Sequence, residues 1–132
     1  MILELDGERL GIADVCAVAR AHSAQVRLSR EAASRMQQSR EAIDRLAAGD
    51  EPIYAVNTGV GLLADVRIAR EDLDRLQRNV IRSHAVGVGE PLSREVVRAM
   101  MLIRANVLAK GLSGIRALAA DGGRGLRMAQ LR

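Results

Sequence analysis

Apolar positions along the 132 residues recur mostly three and four apart, the period of amphipathic helices. Ile12, Val15, Cys16 and Ala19 predict one helix from about Gly11 to Ala21. A second begins after Ser29, a suitable N-cap, with Glu31 in the first turn, where the helix dipole favours an acid. It carries Ala32, Met36, Ile43, Leu46 and Ala47 and stops at Gly49. A third, from about Arg70 to Ala85, is expected to turn Leu73, Leu76, Val80 and Ile81 inward and to end near His84. A fourth is capped by Ser93, with Leu92 and Val97 spaced as a hydrophobic staple. It runs through Val96, Met100, Met101, Ile103 and Leu108 to Lys110-Gly111, and its apolar residues spread over more than one face. Asn106 lies in mid-helix, so it is either exposed or tied to a neighbouring loop. Short extended pieces are expected at residues 2–5, before an Asp6-Gly7 turn, and at Val26-Arg27-Leu28.

Asp50-Glu51-Pro52 breaks the helical pattern and leads into Tyr54-Ala55-Val56-Asn57-Thr58-Gly59-Val60-Gly61. Tyr54 is the only aromatic residue of the chain, and its neighbours are small or bend easily. A phenol on such a loop can point into a cleft and exchange a proton there. It can equally be a half-buried anchor at a strand end, and the residue types alone favour that plainer use. With His84, about thirty residues later at a helix end, it makes the strongest constellation in the chain, which suggests a site and no more.

Composition narrows the class. A chain of this length can bury one core, and with no Phe or Trp that core is built from Leu, Val, Ile, Ala and Met. Richness in Ala, Leu, Arg and Glu favours a mainly α fold with short β segments. The net charge of +4 is carried almost wholly by Arg, interleaved with acids rather than grouped with aromatic platforms, which speaks against a nucleic-acid partner. His22 and His84 have no Cys or His partners at ligand spacing, so no metal site is expected. One cysteine, Cys16, cannot form an internal disulfide and is expected to be a small buried hydrophobe in a reducing compartment. No apolar run approaches the roughly 20 residues of a membrane span, and Met1-Ile2-Leu3-Glu4-Leu5-Asp6 carries acids where a signal peptide carries bases. The expectation is a soluble, cytoplasmic protein with no membrane partner. Residues 117–132, rich in Gly and Arg without apolar period, are expected to be a frayed tail after a domain of residues 1–116.

Thr58-Gly59-Val60-Gly61 and Gly87-Val88-Gly89 are too short for a dinucleotide fingerprint, and no phosphate loop or hydrolase triad spacing is present. Three strings in this order, YAVNTGVGLLADVRI, LQRNVIRSHAVGVGEPL and VLAKGLSGIR, are more specific together than any one alone. They resemble the N-terminal part of the aromatic amino acid ammonia-lyases, most of all those acting on histidine. The family loop usually reads Tyr-Gly-Ile-Asn-Thr-Gly-Phe-Gly, so Ala55 and Val60 depart from it.

The resemblance implies an N-terminal helical domain of the lyase fold and an elimination of ammonia from an aromatic amino acid, with histidine giving urocanate. It implies that Tyr54 removes the β-proton of the substrate and that His84 contacts the substrate ring, with Asn57, Thr58, Gly59 and Gly61 supporting the site. A histidine at position 84 resembles the histidine- or tyrosine-specific enzymes. The family's electrophile is a methylidene-imidazolone (MIO) made by cyclisation of an Ala-Ser-Gly triplet, and this chain contains no such triplet. Ala33-Ser34-Arg35 lacks the Gly, and Leu112-Ser113-Gly114 lacks the Ala. The expectation is a piece of a histidine ammonia-lyase-like enzyme, silent by itself, which self-associates or joins other lyase subunits through the helix at 94–110. The alternatives are a non-catalytic helical interaction module and part of a tyrosine ammonia-lyase or aminomutase.

Overall fold

Two short strands, β1 (Ile2–Leu5) and β2 (Gln25–Leu28), pair in parallel, with Ile2 opposite Gln25 and Leu5 opposite Leu28. A parallel pair needs a crossover, and helix α1 (Ile12–Arg20) supplies it. The computed structural model describes residues 1–117. After β2 come α2 (Arg30–Ala48), single 3-10 turns at Gly61–Leu63 and Arg70–Asp72, α3 (Leu73–His84) and α4 (Arg94–Ala109). The protein is mainly helical, with extended backbone at the N-terminus, around Val26 and, as a single bridge, at Thr58. Among the described residues, no helix is long and apolar enough to cross a membrane.

The described residues form two compact units: 1–41 together with 91–117, and Ala42–Glu90. The tail expected after residue 116 falls, apart from Ala117, outside the described residues, and Ala117 itself packs on Met36 and Leu108.

In the first unit, Leu5, Val18, Val26, Ala32, Leu102, Ala105 and Ala109 make the main core. Helix α1 packs against α4, whose small Ala105 and Ala109 permit close approach. The face of α1 is turned from the expected one. Val18 and Ala19 are buried, Val15 and Cys16 are half-buried, and Ile12 is 85% exposed. Ile12 is the first residue of α1.

Local caps follow the sequence. Ser29 Oγ accepts from Ala32 N at 3.0 Å, and Ser93 Oγ from Val96 N at 3.4 Å. Leu92 remains exposed, so the expected staple does not bury it. Asn106 takes the second of its two options: its Oδ1 accepts from Gly7 N at 3.1 Å and ties α4 to the turn after β1. Gly7 has φ +88°, and a Cβ there would stand 2.8 Å from Lys110 N, so the turn fits α4 only as glycine. Asp6 closes that turn by accepting from Glu8 N and Arg9 N at 2.8 and 2.9 Å. The Arg9 and Glu8 amides, then the Arg9 side chain, hold the Asp6 carboxyl well below the usual carboxylate range.

Arg98 is the largest fully buried side chain among the described residues. Its guanidinium donates to the carbonyls of Val18 (2.8 Å from Nη2) and Ala19 (3.2 Å from Nε), two of the open acceptors at the C-terminal end of α1. Ala21 N covers Ala17 O.

Candidate functional site: the Tyr54 loop and the end of α3

Tyr54 stands on a turn that bonds to itself. Asn57, buried, accepts at Oδ1 from Ile53 N (2.7 Å) and donates from Nδ2 to Glu51 O (2.8 Å), so both ends of its amide are used. Thr58, also buried, accepts from Ala55 N at 3.2 Å, and its hydroxyl lies 3.0 Å from Gly59 O and 3.4 Å from Ile53 O. Backbone bonds from Gly59 N to Val66 O and from Ile68 N to Asn57 O lace this turn to the returning chain, around the antiparallel bridge of Thr58 with Arg67. A Cβ on Gly59 would stand 2.5 Å from the Leu63 side chain, which accounts for glycine there. Gly61 opens the next 3-10 turn with φ +60°.

These side-chain and backbone bonds place the small residues inward and Tyr54 outward. Tyr54 is 63% exposed and its hydroxyl has no hydrogen-bond partner among the described residues. It is not a half-buried anchor. Ala55 is the one described non-glycine residue with positive φ, at 58°. Its neighbours Asn57 and Thr58 hold it there.

Arg67 has no counterpart in the sequence reading. It donates to Asp50 O (2.7 Å) and Gly49 O (3.1 Å) and pairs with the Asp50 carboxylate at 3.0 Å. The end of α2 is thereby fixed to the strand segment that backs the Tyr54 turn. An arginine next to an irregular apolar run carries no local signal of this, because its partners are 17 and 18 residues away.

His84 closes α3. Leu73, Leu76 and Val80 are half-buried, and His84 continues their stripe at helical spacing. Ile81, expected inward, is 69% exposed, since it lies roughly 100° around the helix from Val80. The His84 Nδ1 is 2.8 Å from Val80 O and 3.0 Å from Ser83 Oγ. Tyr54 and His84 lie in the same unit, Ala42–Glu90, and no hydrogen bond joins them.

Other chemistry-bearing groups belong to the first unit. His22 lines a shallow cleft with Arg20, Arg94 and Glu95, in which Arg20 is bonded to Glu95 at 2.7 Å. Cys16 is half-buried rather than buried. Among the described residues, no group of three His, Cys, Asp or Glu is arranged to hold a metal.

The residues present do not fit an MIO precursor. Ala33 and Ser34 are inside α2, in helical backbone, with Arg35 where cyclisation needs glycine. Gly114, after Ser113, has its N–H engaged by Ser39 Oγ at 3.0 Å and is preceded by no alanine.

A mainly helical unit with a tyrosine presented on a self-bonded Asn-Thr-Gly turn defines a class, and the comparisons agree on which. Residues 10–122 match the aromatic amino acid lyase family, and the chain belongs to it. The histidine ammonia-lyase of Myxococcus xanthus is 54% identical over 121 residues, 89% of this chain and 24% of that protein. The histidine ammonia-lyase of Stigmatella aurantiaca is 52% identical over 114 residues, 86% of this chain and 22% of that one. Among solved structures, histidine ammonia-lyase from Trypanosoma cruzi superposes with a TM-score of 0.82 at 38% identity, covering 91% of this chain and 23% of that one. Tyrosine aminomutase from Streptomyces globisporus superposes with 0.85 at 34% identity, covering 98% and 24%. The chain thus spans about a quarter of the length of the relatives it matches.

Proposed function

We propose that this chain is the part of a histidine ammonia-lyase-like enzyme that carries the proton acceptor, Tyr54, and the ring contact, His84. In that role the Tyr54 phenolate takes a β-proton of the bound amino acid. The released electron pair forms the Cα=Cβ bond and ammonia leaves from Cα, so that histidine gives urocanate. Asn57, Thr58, Gly59 and Gly61 hold the phenol in position and His84 meets the substrate ring. The observation that carries this reading is the exposed phenol of Tyr54, free of hydrogen bonds, on a turn whose polar side chains are spent on holding it. Positioning of that kind lets a weak carbon acid meet its base.

The electrophile that activates the leaving amine is no part of this chain's residues, so the chain alone is inactive and works joined to further lyase sequence. The rest of the assembly meets α4, through self-association or through another lyase subunit, and the location is the cytoplasm. A tyrosine substrate is the second reading, favoured by the superposition on tyrosine aminomutase and by a histidine that can bond a phenol as well as an imidazole.

The test joins this chain to the remaining three quarters of the Myxococcus xanthus enzyme and follows urocanate and ammonia. The chain alone should release neither. The joined protein should release both, and Tyr54→Phe in it should lower kcat by about 10²–10⁴-fold, the usual weight of a general base. Turnover by the chain alone, or an active Tyr54→Phe variant, would overturn the assignment.

A further inference from the structure

The turn that carries Tyr54 holds its own shape, but its internal bonds do not settle where it points. Asn57 and Thr58 tie it to itself, at Glu51, Ile53 and Ala55. A body closed on itself is aimed by its anchors to the rest of the fold. Apolar packing supplies little of that anchorage. Among the described residues of the unit Ala42–Glu90, the buried side chains are Asn57 and Thr58, both polar, and Leu62, Leu63 and Val66 beside the turn are exposed.

The remaining anchors converge on one residue. The backbone of Arg67 bridges Thr58, flanked by the bonds from Gly59 N to Val66 O and from Ile68 N to Asn57 O. Its guanidinium reaches the other way, where Nη1 donates to Asp50 O at 2.7 Å and Nη2 to Gly49 O at 3.1 Å. The carbonyls that follow α2 stand at the negative end of its dipole, so a cation with two N–H groups side by side suits them. The ion pair with the Asp50 carboxylate adds little, because that side chain is fully exposed. The segment with Tyr54 thus hangs between two points held by the same residue, Asp50 by its side chain and Thr58 by its backbone.

We infer that Arg67 is a positioning residue for Tyr54: by joining the returning chain to the end of α2, it fixes the direction in which the phenol faces the substrate. The catalytic consequence rests on the reading above that Tyr54 takes the β-proton; the clamp itself rests on geometry. A base displaced by about an ångström loses up to about a hundredfold in rate while the substrate still binds, so the loss falls on kcat.

Residual dipolar couplings of the nitrogen-15-labelled 132-residue chain read the aim directly. The amides of residues 53–59 and of 42–48, the last part of α2, should fit one common orientation. In Arg67→Met the couplings of 42–48 should persist, which shows that the helix is folded, and those of 53–59 should shrink as the turn loses its direction. Arg67→Lys, a point charge without the fork, should shrink them less, and it carries the test if Arg67→Met does not fold. Asp50→Asn, which keeps both carbonyls, should leave them as they are. Turn couplings unchanged by either Arg67 variant overturn the inference, and so does a parent turn that does not share the orientation of α2. Shrinkage in Asp50→Asn as large as in Arg67→Met would overturn the role given to the carbonyls.

In the joined enzyme described above, Arg67→Met should lower kcat by about ten- to a hundredfold with KM little changed. In the Tyr54→Phe background the same change should cost nothing further, since no phenol is left to aim. An equal further loss in that background, or an effect on KM alone, would make Arg67 a residue of stability or binding and overturn the inference. An active Tyr54→Phe enzyme would instead overturn the assignment of Tyr54, with the couplings still deciding whether the clamp aims the turn.

Discussion

Ala55 is the residue at which local chemistry and the required backbone disagree. Its φ of 58° lies in the left-handed region, which costs an L-residue with a Cβ about 1–2 kcal/mol. The turn holds an alanine in a conformation that glycine adopts without cost. Three bonds support it: Ala55 N to Thr58 Oγ1, and the two made by the Asn57 amide, which spans Glu51 and Ile53. Ala55→Gly relieves the strain but frees the unfolded chain by about 0.4–1 kcal/mol, so the net gain should be about 0.5–1 kcal/mol. Chemical denaturation should show a raised midpoint for Ala55→Gly and a lowered one for Ala55→Val, whose branched Cβ tolerates this region worse. A midpoint unmoved or lowered by Ala55→Gly would mean that the turn does not hold this conformation in solution.

Among the elements, α4 does the most. One stripe, Arg98, Leu102, Ala105 and Ala109, is buried against α1 and the strands. Within it, Arg98 completes the C-terminal end of α1 from 80 residues away. Burial, with Arg94 adding to it, pushes the Arg98 guanidinium below the ordinary arginine pKa, and the two carbonyls compensate by accepting from it. Arg98→Met keeps much of the stem but leaves Val18 O and Ala19 O without their donor. That change should cost about 2–3 kcal/mol, the scale of lost charged hydrogen bonds and of buried acceptors left unmade. The check is equilibrium unfolding, with Arg94→Met, on an exposed neighbour, staying within about 0.5 kcal/mol of the parent. Equal effects of the two variants would deny Arg98 its capping role.

At the scale of the whole molecule, the opposite side of α4 matters. Val96, Met100, Ile103 and Val107 recur at steps of four, three and four and are 43–57% exposed. They lie roughly 180° around the helix from the buried stripe. An apolar stripe left open on a helix that is already packed on its other side calls for a cover. The proposed association should run through it. Sedimentation at tens of micromolar should show the chain associated, and Ile103→Glu should shift it toward monomer without loss of helix. Met101→Glu should act differently. Met101 is half-buried against the main core, so its charge would destabilise the fold rather than the contact. A parent chain that sediments as a well-folded monomer would remove self-association and leave the stripe without a second copy as partner.

What the sequence determined by itself was whatever neighbours along the chain decide. The four helices, the caps at Ser29 and Ser93, the extended pieces at residues 2–5 and 26–28 and the bent loop that carries Tyr54 all follow from residues within a turn or two of one another. Residue types at a spacing carry that information because helix period, capping and turn chemistry are local. The ordered strings around Tyr54 and His84 also fixed the family, which the matches bear out. Only the tertiary structure decided the parallel pairing of β1 with β2, which face of α1 is buried, and the burial of Arg98. It also decided which of two options Asn106 takes and the clamp formed by Arg67. Most of these depend on partners far along the chain, and an arginine or asparagine on a helix looks the same in sequence whether it faces water or a carbonyl.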